Sequence, residues 1–165
     1  MNVDLPISFR ELRYEDLPFL REMFYVSLFS VKGENAFPRD IIDKPHLARY
    51  HQDWGKAGDY GIVVHNEREN IGAIWVRFFS KENPGYGFVE AAAPEMGIAL
   101  KKEFRGKGLG RKLIGQLCVD LKAKGTSALS LSTDSRNPAM HLYKSCGFEE
   151  VEREEYSVKM YKKLE

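Results

Sequence analysis

The chain has 165 residues, of which 43% are hydrophobic and 30% are charged. This length suits one domain, here residues 1–165, and this composition is typical of a soluble globular protein rather than a disordered one. The formal net charge of +1 gives no overall attraction to nucleic acid or to acidic membranes, so a site for anions would have to be local.

The cysteines, histidines and first residues indicate where the protein works. Cys118 and Cys146 form no CxxC pair, which favours a reducing compartment over a disulfide framework. The four histidines lack metal-ligand spacing, so we expect no metal. Charged residues occur from the start of the sequence, so we expect no secretory leader, and the sequence has no apolar run of membrane-spanning length. These features predict a cytoplasmic protein with no nucleic-acid or membrane partner.

The first half of the chain reads as a strand, two helices and two strands. The stretch ISFRELR alternates and predicts a strand, and Asp16 is a candidate N-cap for the helix that follows it. KPHLARYHQDWGKAG predicts a second short helix that ends near Gly55 or Gly58. YGIVVH and NIGAIWVRFF predict a hairpin, and the loop after it includes a short extended piece at Phe88 and Val89. The apolar positions of the first helix recur at helical spacing: Leu20, Phe24, Leu28 and Val31.

The second half alternates strands with helices and closes on a hairpin. EMGIAL predicts a strand, and the best-defined helix follows it and ends at Gly125. ALSLST predicts another strand, Asn137-Pro138 begins a helix, and VEREEYSV and KMYKKL predict two final strands. This order predicts an α/β fold with one mixed, mostly antiparallel sheet of about seven strands and helices on both faces.

The stretch RGKGLG lies between the EMGIAL strand and the long helix. Unpaired N–H groups and the helix dipole make a helix start a natural anion site, and glycine lets an anion approach the backbone. The same glycines would also suit a strand-to-helix connection that needs small residues for packing. A phosphate loop of the form GxxxxGK[ST] does not fit, and Arg111 and Leu113 stand where the dinucleotide motif GxGxxG would need glycine.

A different phosphate-binding pattern, [R/Q]xxGx[G/A], does fit, with Arg105, Gly108 and Gly110 in place. PEMGIALKKEFRGKGLGRKLI resembles the strand, loop and helix of the GCN5-related N-acetyltransferase (GNAT) superfamily. Further along, NPAMHLYKSCGF is similar to the family's Nxx[AS]xxLYxxxGF, and FRELRYEDLPFL resembles its opening strand and helix. The resemblance spans most of the chain and agrees with the predicted order of elements.

The resemblance implies direct transfer of an acetyl group from acetyl-CoA to a primary amine of a small molecule or peptide, with no metal. The main chain of Ile98, Ala99 and Leu100 would pair with the pantetheine arm. A backbone N–H there would stabilise the oxyanion. Asn137 would lie near the pantetheine, besides capping its helix. The pyrophosphate would lie against the loop residues Arg105, Gly106, Lys107, Gly108, Leu109, Gly110 and Arg111.

The resemblance also implies catalytic roles. Tyr143 is the candidate general acid for the departing thiolate, although helical spacing also suits a core aromatic. Glu95 is the first candidate for the general base, Glu90 is the second, and a water chain is a third option. Some ribosomal-protein acetylases of the family place the base five residues before the motif asparagine. Here that residue is Ser132, so we do not expect that mechanism.

The sequence does not identify the acceptor amine or the oligomeric state. A homodimer is common in the family, and the main alternative function is a non-catalytic acyl-CoA-binding module that acts as a sensor or interaction domain. An unrelated nucleotide-binding protein is a weaker alternative. The aromatic residues of the first two helices would form core, with one or two lining the acceptor site: Phe24, Tyr25, Phe29, Tyr50 and Trp54. The acidic residues near them would suit a cationic amine: Glu34, Asp40, Asp43 and Asp53.

Overall fold

A computed structural model describes residues 5–165, and its elements follow the predicted order. The helices are α1 (Leu17–Ser27), α2 (Pro45–Ala48), α3 (Leu109–Ala123) and α4 (Ala139–Ser145). Short 3-10 turns cover Tyr14–Asp16, Arg39–Asp43 and Lys102–Phe104. The strands are β1 (Ser8–Glu11), β2 (Tyr60–His65), β3 (Asn70–Arg77), β4 (Glu95–Leu100), β5 (Ala128–Asp134), β6 (Glu149–Glu154) and β7 (Ser157–Lys163).

The seven strands form one sheet in the order β1-β2-β3-β4-β5-β7-β6. Only β4 and β5 run parallel, and every other neighbouring pair is antiparallel. α3 supplies the crossover between the two parallel strands, as a parallel connection requires. The predicted fold class, a mixed and mostly antiparallel sheet with helices on both faces, is confirmed.

Each face of the sheet has its own apolar core. Leu113 and Leu117 of α3 pack on one face with Leu129 and Met160 of the strands, and all four are fully buried. Leu20 and Met23 of α1 pack on the other face against Trp75. The alternation along β4 sends successive side chains to opposite cores, with Ala99 on the α1 side and Met96 and Ile98 on the α3 side.

The sheet opens between its two parallel strands. β4 and β5 share one register pair, Glu95 with Ser130, where the Ser130 N–H donates to the Pro94 carbonyl at 3.0 Å. Within residues 5–165 no further pair joins these strands, so the main chain of β4 beyond Glu95 has no strand partner on that side. The opening therefore leaves backbone N–H and C=O groups available to an extended ligand.

The register of β3 and β4 decides which backbone groups face this opening. The Lys101 N–H donates to the Ile71 carbonyl at 2.9 Å, so odd-numbered residues of β4 exchange hydrogen bonds with β3. The N–H and C=O groups of Ile98 and Leu100 point toward β5, whereas those of Ala99 point toward β3.

The predicted second helix is shorter than expected. α2 ends at Ala48, because the Arg77 guanidinium takes the carbonyls of Arg49 and Gln52 at 2.9 and 2.7 Å. Asp53 then has a φ of 56°, in the left-handed region, which a helix cannot continue through. A buried side chain from a distant strand therefore ends this helix.

Other boundaries also differ from the sequence prediction. α1 ends at Ser27, so Val31 lies beyond it and is exposed, and residues 88–89 form no strand. The Asp16 carboxylate accepts the Arg13 N–H at 2.8 Å and pairs with Arg10, so it does not cap α1 through its side chain. The acidic strand β6 is exposed at every position, as expected for a solvated edge.

Candidate functional site

A cavity of about 240 Å³ lies where β4 and β5 separate. Glu95 and Ile98 line it from β4, Ser132 lines it from β5, and Asn137 and Tyr143 line it from the α4 region. The cavity thus collects predicted site residues that are far apart in the sequence. Five aromatic residues also line the cavity: Phe24, Phe29, Tyr50, Trp75 and Tyr86.

The glycine loop leads into α3 beside this opening. Gly106 and Gly108 have φ values of 76° and 82°, and a Cβ at either position would meet no atom within 4 Å. The N–H groups of Leu109, Gly110 and Arg111 begin the helix and make no hydrogen bond within the described part of the chain. The loop therefore presents open space in front of unpaired donors, which is the geometry of an anion site.

The third glycine has a different role. A Cβ on Gly110 would come 2.9 Å from a methyl carbon of Leu142, so this glycine lets α3 approach α4 closely. The two interpretations of the loop left open by the sequence therefore apply to different residues. Gly106 and Gly108 form the turn and leave open space beside it, and Gly110 allows the two helices to pack closely.

The cationic side chains of the loop are partly engaged in protein contacts. Arg105 donates from Nε to the Leu100 carbonyl at 3.0 Å and forms an ion pair with Glu34. Arg111 donates from Nη2 to the Ser145 hydroxyl at 2.7 Å. The Lys107 ammonium lies 5.7 Å from the centre of the Phe104 ring. The contacts of Arg105 tie the loop to the end of β4.

Glu95 is the most buried charged group in the cavity wall, with 6% of its surface exposed. Its Oε1 accepts hydrogen bonds from the Tyr50 hydroxyl at 2.8 Å and from the Gly87 N–H at 2.9 Å. Its Oε2 is buried and has no hydrogen-bond partner among the described residues. Burial raises the pKa of Glu95 above its ordinary range, because the charged form loses hydration.

Tyr143 combines a packed ring with a hydroxyl at the cavity. Its ring meets Phe148 edge-on at 6.1 Å, and the side chain belongs to the α3-side core. No residue in the described chain hydrogen-bonds its hydroxyl. Burial raises the pKa of Tyr143 to about 12, so the hydroxyl keeps its proton at neutral pH.

Asn137 acts as a helix cap in this structure. Its Oδ1 accepts the Ala139 N–H at 2.9 Å, and its Nδ2 donates to the Thr133 hydroxyl at 3.3 Å. The Thr133 contact holds the start of α4 against the end of β5, and the Ala139 contact caps the helix. They also position the helix that carries Tyr143.

The second candidate base lies apart from the cavity. Glu90 accepts a hydrogen bond from the Tyr161 hydroxyl at 2.9 Å in an exposed position and does not line the cavity. Ser132, where some relatives carry a base, does line it. Of the two carboxylates proposed from the sequence, Glu95 alone faces this space.

The residues expected at the acceptor site divide between two places. Phe24, Phe29 and Tyr50 line the cavity, whereas the Tyr25 hydroxyl donates to the Phe37 carbonyl. A separate groove of about 830 Å³, beside α1 and α2, takes in three of the others: Asp43, Asp53 and Trp54.

The predicted acceptor carboxylates do not reach the cavity. Glu34 pairs with Arg105, and Asp40 lies near Lys44. The carboxylates that do line the cavity are Glu95 and Asp134, and Asp134 is paired with Arg136.

The sequence does not predict that the loop before β4 contacts Glu95. Tyr86 and Gly87 contact the carboxylate network from the segment before β4, where the sequence pattern predicts only a loop. The signal was NPGYGF, in which two glycines flank a tyrosine just before the strand that carries the carboxylate.

Two features are absent from residues 5–165. No three or more His, Cys, Asp or Glu side chains in this part of the chain are grouped as metal ligands. No helix in the same range has the length and apolar character needed to cross a membrane.

Comparison with known proteins identifies the family. The model of the acetyltransferase (GNAT) family matches residues 21–148, well over half of the chain. The protein belongs to this family, and the resemblance inferred from its motifs is confirmed.

Curated relatives match over shorter stretches. The [ribosomal protein bS18]-alanine N-acetyltransferase of Haemophilus influenzae is 40% identical over 55 residues, which cover 33% of this chain and 38% of that enzyme. An uncharacterized protein of Mycobacterium leprae is 41% identical over 54 residues, or 33% of this chain and 14% of that protein. The chain thus aligns with well under two thirds of either relative.

Solved structures share the fold over nearly the whole chain. The PaiA N-acetyltransferase of Thermoplasma acidophilum, in complex with coenzyme A, has a TM-score of 0.70 at 18% identity and covers 96% of this chain and 99% of its own. The ribosomal-protein-S18-alanine N-acetyltransferase of Escherichia coli has a TM-score of 0.67 at 18% identity, with coverage of 96% and 94%. The spermidine N-acetyltransferase of Vibrio cholerae, in complex with CoA and spermine, has a TM-score of 0.62 at 21% identity. The match covers 96% of this chain and 95% of that chain.

Proposed function

We propose that this protein transfers the acetyl group of acetyl-CoA directly to a primary amine of a small molecule or peptide. One observation carries the proposal. Glu95 and Tyr143 line the same cavity at the opening of the sheet, and the unpaired donors at the start of α3 lie beside that opening. Family membership supports the same chemistry.

The residues at the opening fit the donor substrate. The pyrophosphate of acetyl-CoA is a dianion that suits the N–H groups of the first turn of α3, and Gly106 and Gly108 leave space for its approach. The pantetheine amides suit the N–H and C=O groups of Ile98 and the N–H group of Leu100, with Ala99 between them facing β3. The Leu100 carbonyl already accepts the Arg105 Nε–H. A β4 N–H that points into the opening would also donate to the thioester oxygen as it gains negative charge.

Glu95 and Tyr143 supply the proton transfers. The acceptor reaches the site mostly as an ammonium ion, and Glu95 takes a proton from it, directly or through water. The amine nitrogen then bonds to the thioester carbon, the carbon–sulfur bond breaks, and Tyr143 gives its proton to the thiolate. The new amide nitrogen releases its surplus proton, which restores the Tyr143 phenol directly or through water. A raised pKa brings a carboxylate closer to the pH at which a base is most effective.

The cavity favours an amine with apolar atoms next to it. Aromatic and aliphatic side chains form much of its wall, and no lysine or arginine in the described chain lines it. Relatives with this fold include enzymes for the alanine terminus of a ribosomal protein and for spermidine. We therefore propose peptide N-termini and polyamines as the first acceptors to test.

The two cysteines support a cytoplasmic location. Cys118 and Cys146 are both free thiols at partly buried positions. Free thiols of this kind are typical of a reducing compartment.

The proposal is tested by acetyl-CoA-dependent thiol release with a panel of peptide and polyamine amines. We expect release that depends on the acceptor, and a drop of about 10²- to 10⁴-fold in Tyr143→Phe, as for loss of a general acid. Tyr14→Phe is the matched control, because Tyr14 is 77% exposed and lies outside the cavity. Calorimetric binding of CoA should be equal in all three proteins.

Two outcomes would contradict parts of this proposal. Binding of acetyl-CoA without acceptor-dependent release across the panel would favour a non-catalytic module. Full turnover by Tyr143→Phe would remove the acid assignment and leave the transferase activity in place.

A further inference from the structure

We propose that Tyr50 is a positioning residue for Glu95: its hydroxyl donates to Oε1 and so fixes the orientation of the carboxylate in the cavity wall. Tyr50 lies in the segment after α2, and Glu95 begins β4. The inference rests on the proposed role of Glu95 as the base, and it adds a residue to that site.

The hydrogen bonds around the carboxylate are unequal. The Tyr50 hydroxyl donates to Oε1 at 2.8 Å and accepts the Tyr86 N–H at 2.7 Å, and the Gly87 N–H donates to Oε1 at 2.9 Å. Oε1 thus has two donors, whereas Oε2 has none among residues 5–165. Because Oε1 takes both hydrogen bonds and Oε2 lies buried beside Gly85, the carboxylate is held in one orientation.

The loop over the carboxylate is shaped for this contact. A Cβ on Gly85 would overlap Oε2 and come 2.9 Å from the Tyr50 hydroxyl oxygen. A Cβ on Gly87 would come 2.6 Å from the carbonyl carbon of Leu131 and 2.9 Å from Oε1. Glycine is therefore required at both positions if Tyr86 and Gly87 are to present their N–H groups to this network.

Tyr50 itself is fixed from several sides. Its ring stacks on Phe24 at 5.7 Å and meets Phe79 at 5.1 Å, and Tyr86 lies parallel to it at 6.4 Å. Arg77 binds the carbonyls of the residues at positions 49 and 52, on either side of Tyr50 in the chain. Because the Tyr50 ring is already fixed, its hydroxyl orients the Glu95 carboxylate without a further loss of side-chain entropy.

The charges around Glu95 are few, so the hydroxyl has a measurable effect. Burial raises the pKa of Glu95, and the Tyr50 and Gly87 hydrogen bonds and the charges of Arg49 and Lys159 lower it. Arg77, the register partner of Glu95, is neutralised by Asp59. Ser130 lies opposite Glu95 on β5 and is uncharged. Removal of the hydroxyl should therefore raise the pKa of Glu95 further.

The test compares Tyr50→Phe with Tyr25→Phe. Tyr25 belongs to the same aromatic core, but its hydroxyl donates to a backbone carbonyl and not to Glu95. Carboxyl-carbon NMR of glutamate-labelled protein should show the pKa of Glu95 about one unit higher in Tyr50→Phe, as expected for loss of a hydrogen bond to a charged group. Tyr25→Phe should titrate like the wild type.

Kinetics gives a second readout with a stated sign. A base works when deprotonated, so the acid limb of kcat/KM should move to higher pH by the same amount in Tyr50→Phe, while the KM for acetyl-CoA stays unchanged. If Tyr50→Phe does not fold, a fluorinated tyrosine at position 50 keeps the ring and makes the hydroxyl a stronger donor. It should move the pKa of Glu95 in the opposite direction.

The outcomes separate this inference from the proposed function. An unchanged Glu95 titration in Tyr50→Phe, or in the fluorinated protein, overturns the positioning role. A wild type that transfers no acetyl group overturns the proposed function, and the carboxyl titration still decides whether Tyr50 holds Glu95.

Discussion

Glu95 and Tyr143 are both withdrawn from solvent, and burial raises the pKa of each. The consequence differs because the proposed roles differ. A carboxylate with a raised pKa is a stronger base than an exposed one, and a phenol with a pKa of about 12 keeps its proton at neutral pH and so is present in its acid form when the thiolate departs. One physical cause thus suits both ends of the proposed proton transfer.

The raised pKa of Glu95 predicts how kcat/KM depends on pH. Because the folded pKa of Glu95 is raised, the proposed base is lost by protonation as the pH falls through that raised value. We expect the acid limb of kcat/KM to lie above the ordinary glutamate pKa of about 4.3. Glu95→Gln should abolish this limb and lower kcat/KM by about 10²-fold or more, measured over a pH series.

Glu90→Gln is the matched control for this measurement. Glu90 is exposed and bonded to Tyr161, so its loss should leave the pH profile unchanged. The reverse pattern, with the limb lost in Glu90→Gln and kept in Glu95→Gln, would transfer the role of base to Glu90.

At the scale of the element, the start of α3 brings together conformation, space and unpaired donors. Gly108 precedes the helix with a φ of 82°, and the space in front of it is open. Gly125 follows the helix with a φ of 88° and equally open surroundings. The two glycines share one backbone geometry at opposite ends of the same helix, but only Gly108 lies at the proposed pyrophosphate site.

This symmetry allows a controlled prediction. Alanine at either position should cost about 1 to 2 kcal/mol of unfolding free energy, because the left-handed conformation strains a residue with a Cβ. Gly108→Ala should also weaken CoA binding by about tenfold or more, because the Cβ fills the space in front of the N–H groups; a loss of 1.4 kcal/mol already equals tenfold. Calorimetry with CoA and urea unfolding measure the two effects.

Gly125→Ala should lose stability and keep its CoA affinity. Equal losses of affinity in the two variants would mean that strain in α3, and not the site, controls binding. Unchanged affinity in Gly108→Ala would place the pyrophosphate elsewhere.

At the scale of the whole molecule, one buried ion pair joins the end of β3 to the segment that carries Tyr50. Arg77 and Asp59 are 3% and 1% exposed, and two hydrogen bonds of 3.0 and 2.8 Å join them. Asp59 also accepts the N–H groups of Gly55 and Lys56. The pair therefore holds residues 49–59, which form no regular helix, in a fixed conformation. Because Tyr50 lies in this segment, the pair also supports the wall of the cavity.

We expect Arg77→Ala to lower the unfolding free energy by about 3 to 5 kcal/mol, because it leaves a buried carboxylate without its counter-charge. Denaturant unfolding gives the size of the loss. Arg153→Ala is the control: Arg153 pairs with Glu150 on the exposed strand β6, and its loss should not change stability measurably.

Activity adds a second readout to this experiment. In Arg77→Ala protein that still folds at low temperature, the hydrogen bond from Tyr50 to Glu95 should weaken. The acid limb of kcat/KM should then move to higher pH. Stability equal to that of the wild type would contradict the structural role assigned to this pair.

Most of the fold was predictable, and the early end of α2 is an exception with a tertiary cause. Strands, hairpins and the long helix follow from periodicity and from glycine and proline at their ends, which act over a few residues. α2 is shorter than its sequence suggests because Arg77, distant in the chain, takes the carbonyls that a longer helix would use. Local patterns do not contain such contacts.

The sequence by itself determined the order of elements, the family and the glycine loop, because these depend on the spacing of residues along the chain. Only the tertiary structure decided that Glu95 and not Glu90 faces the cavity, and that Ala99 turns its backbone to β3. It alone joined Tyr50, Tyr86 and Gly87 to the Glu95 carboxylate. Burial, strand register and contacts between distant segments come from packing, so they exist only once the chain has folded.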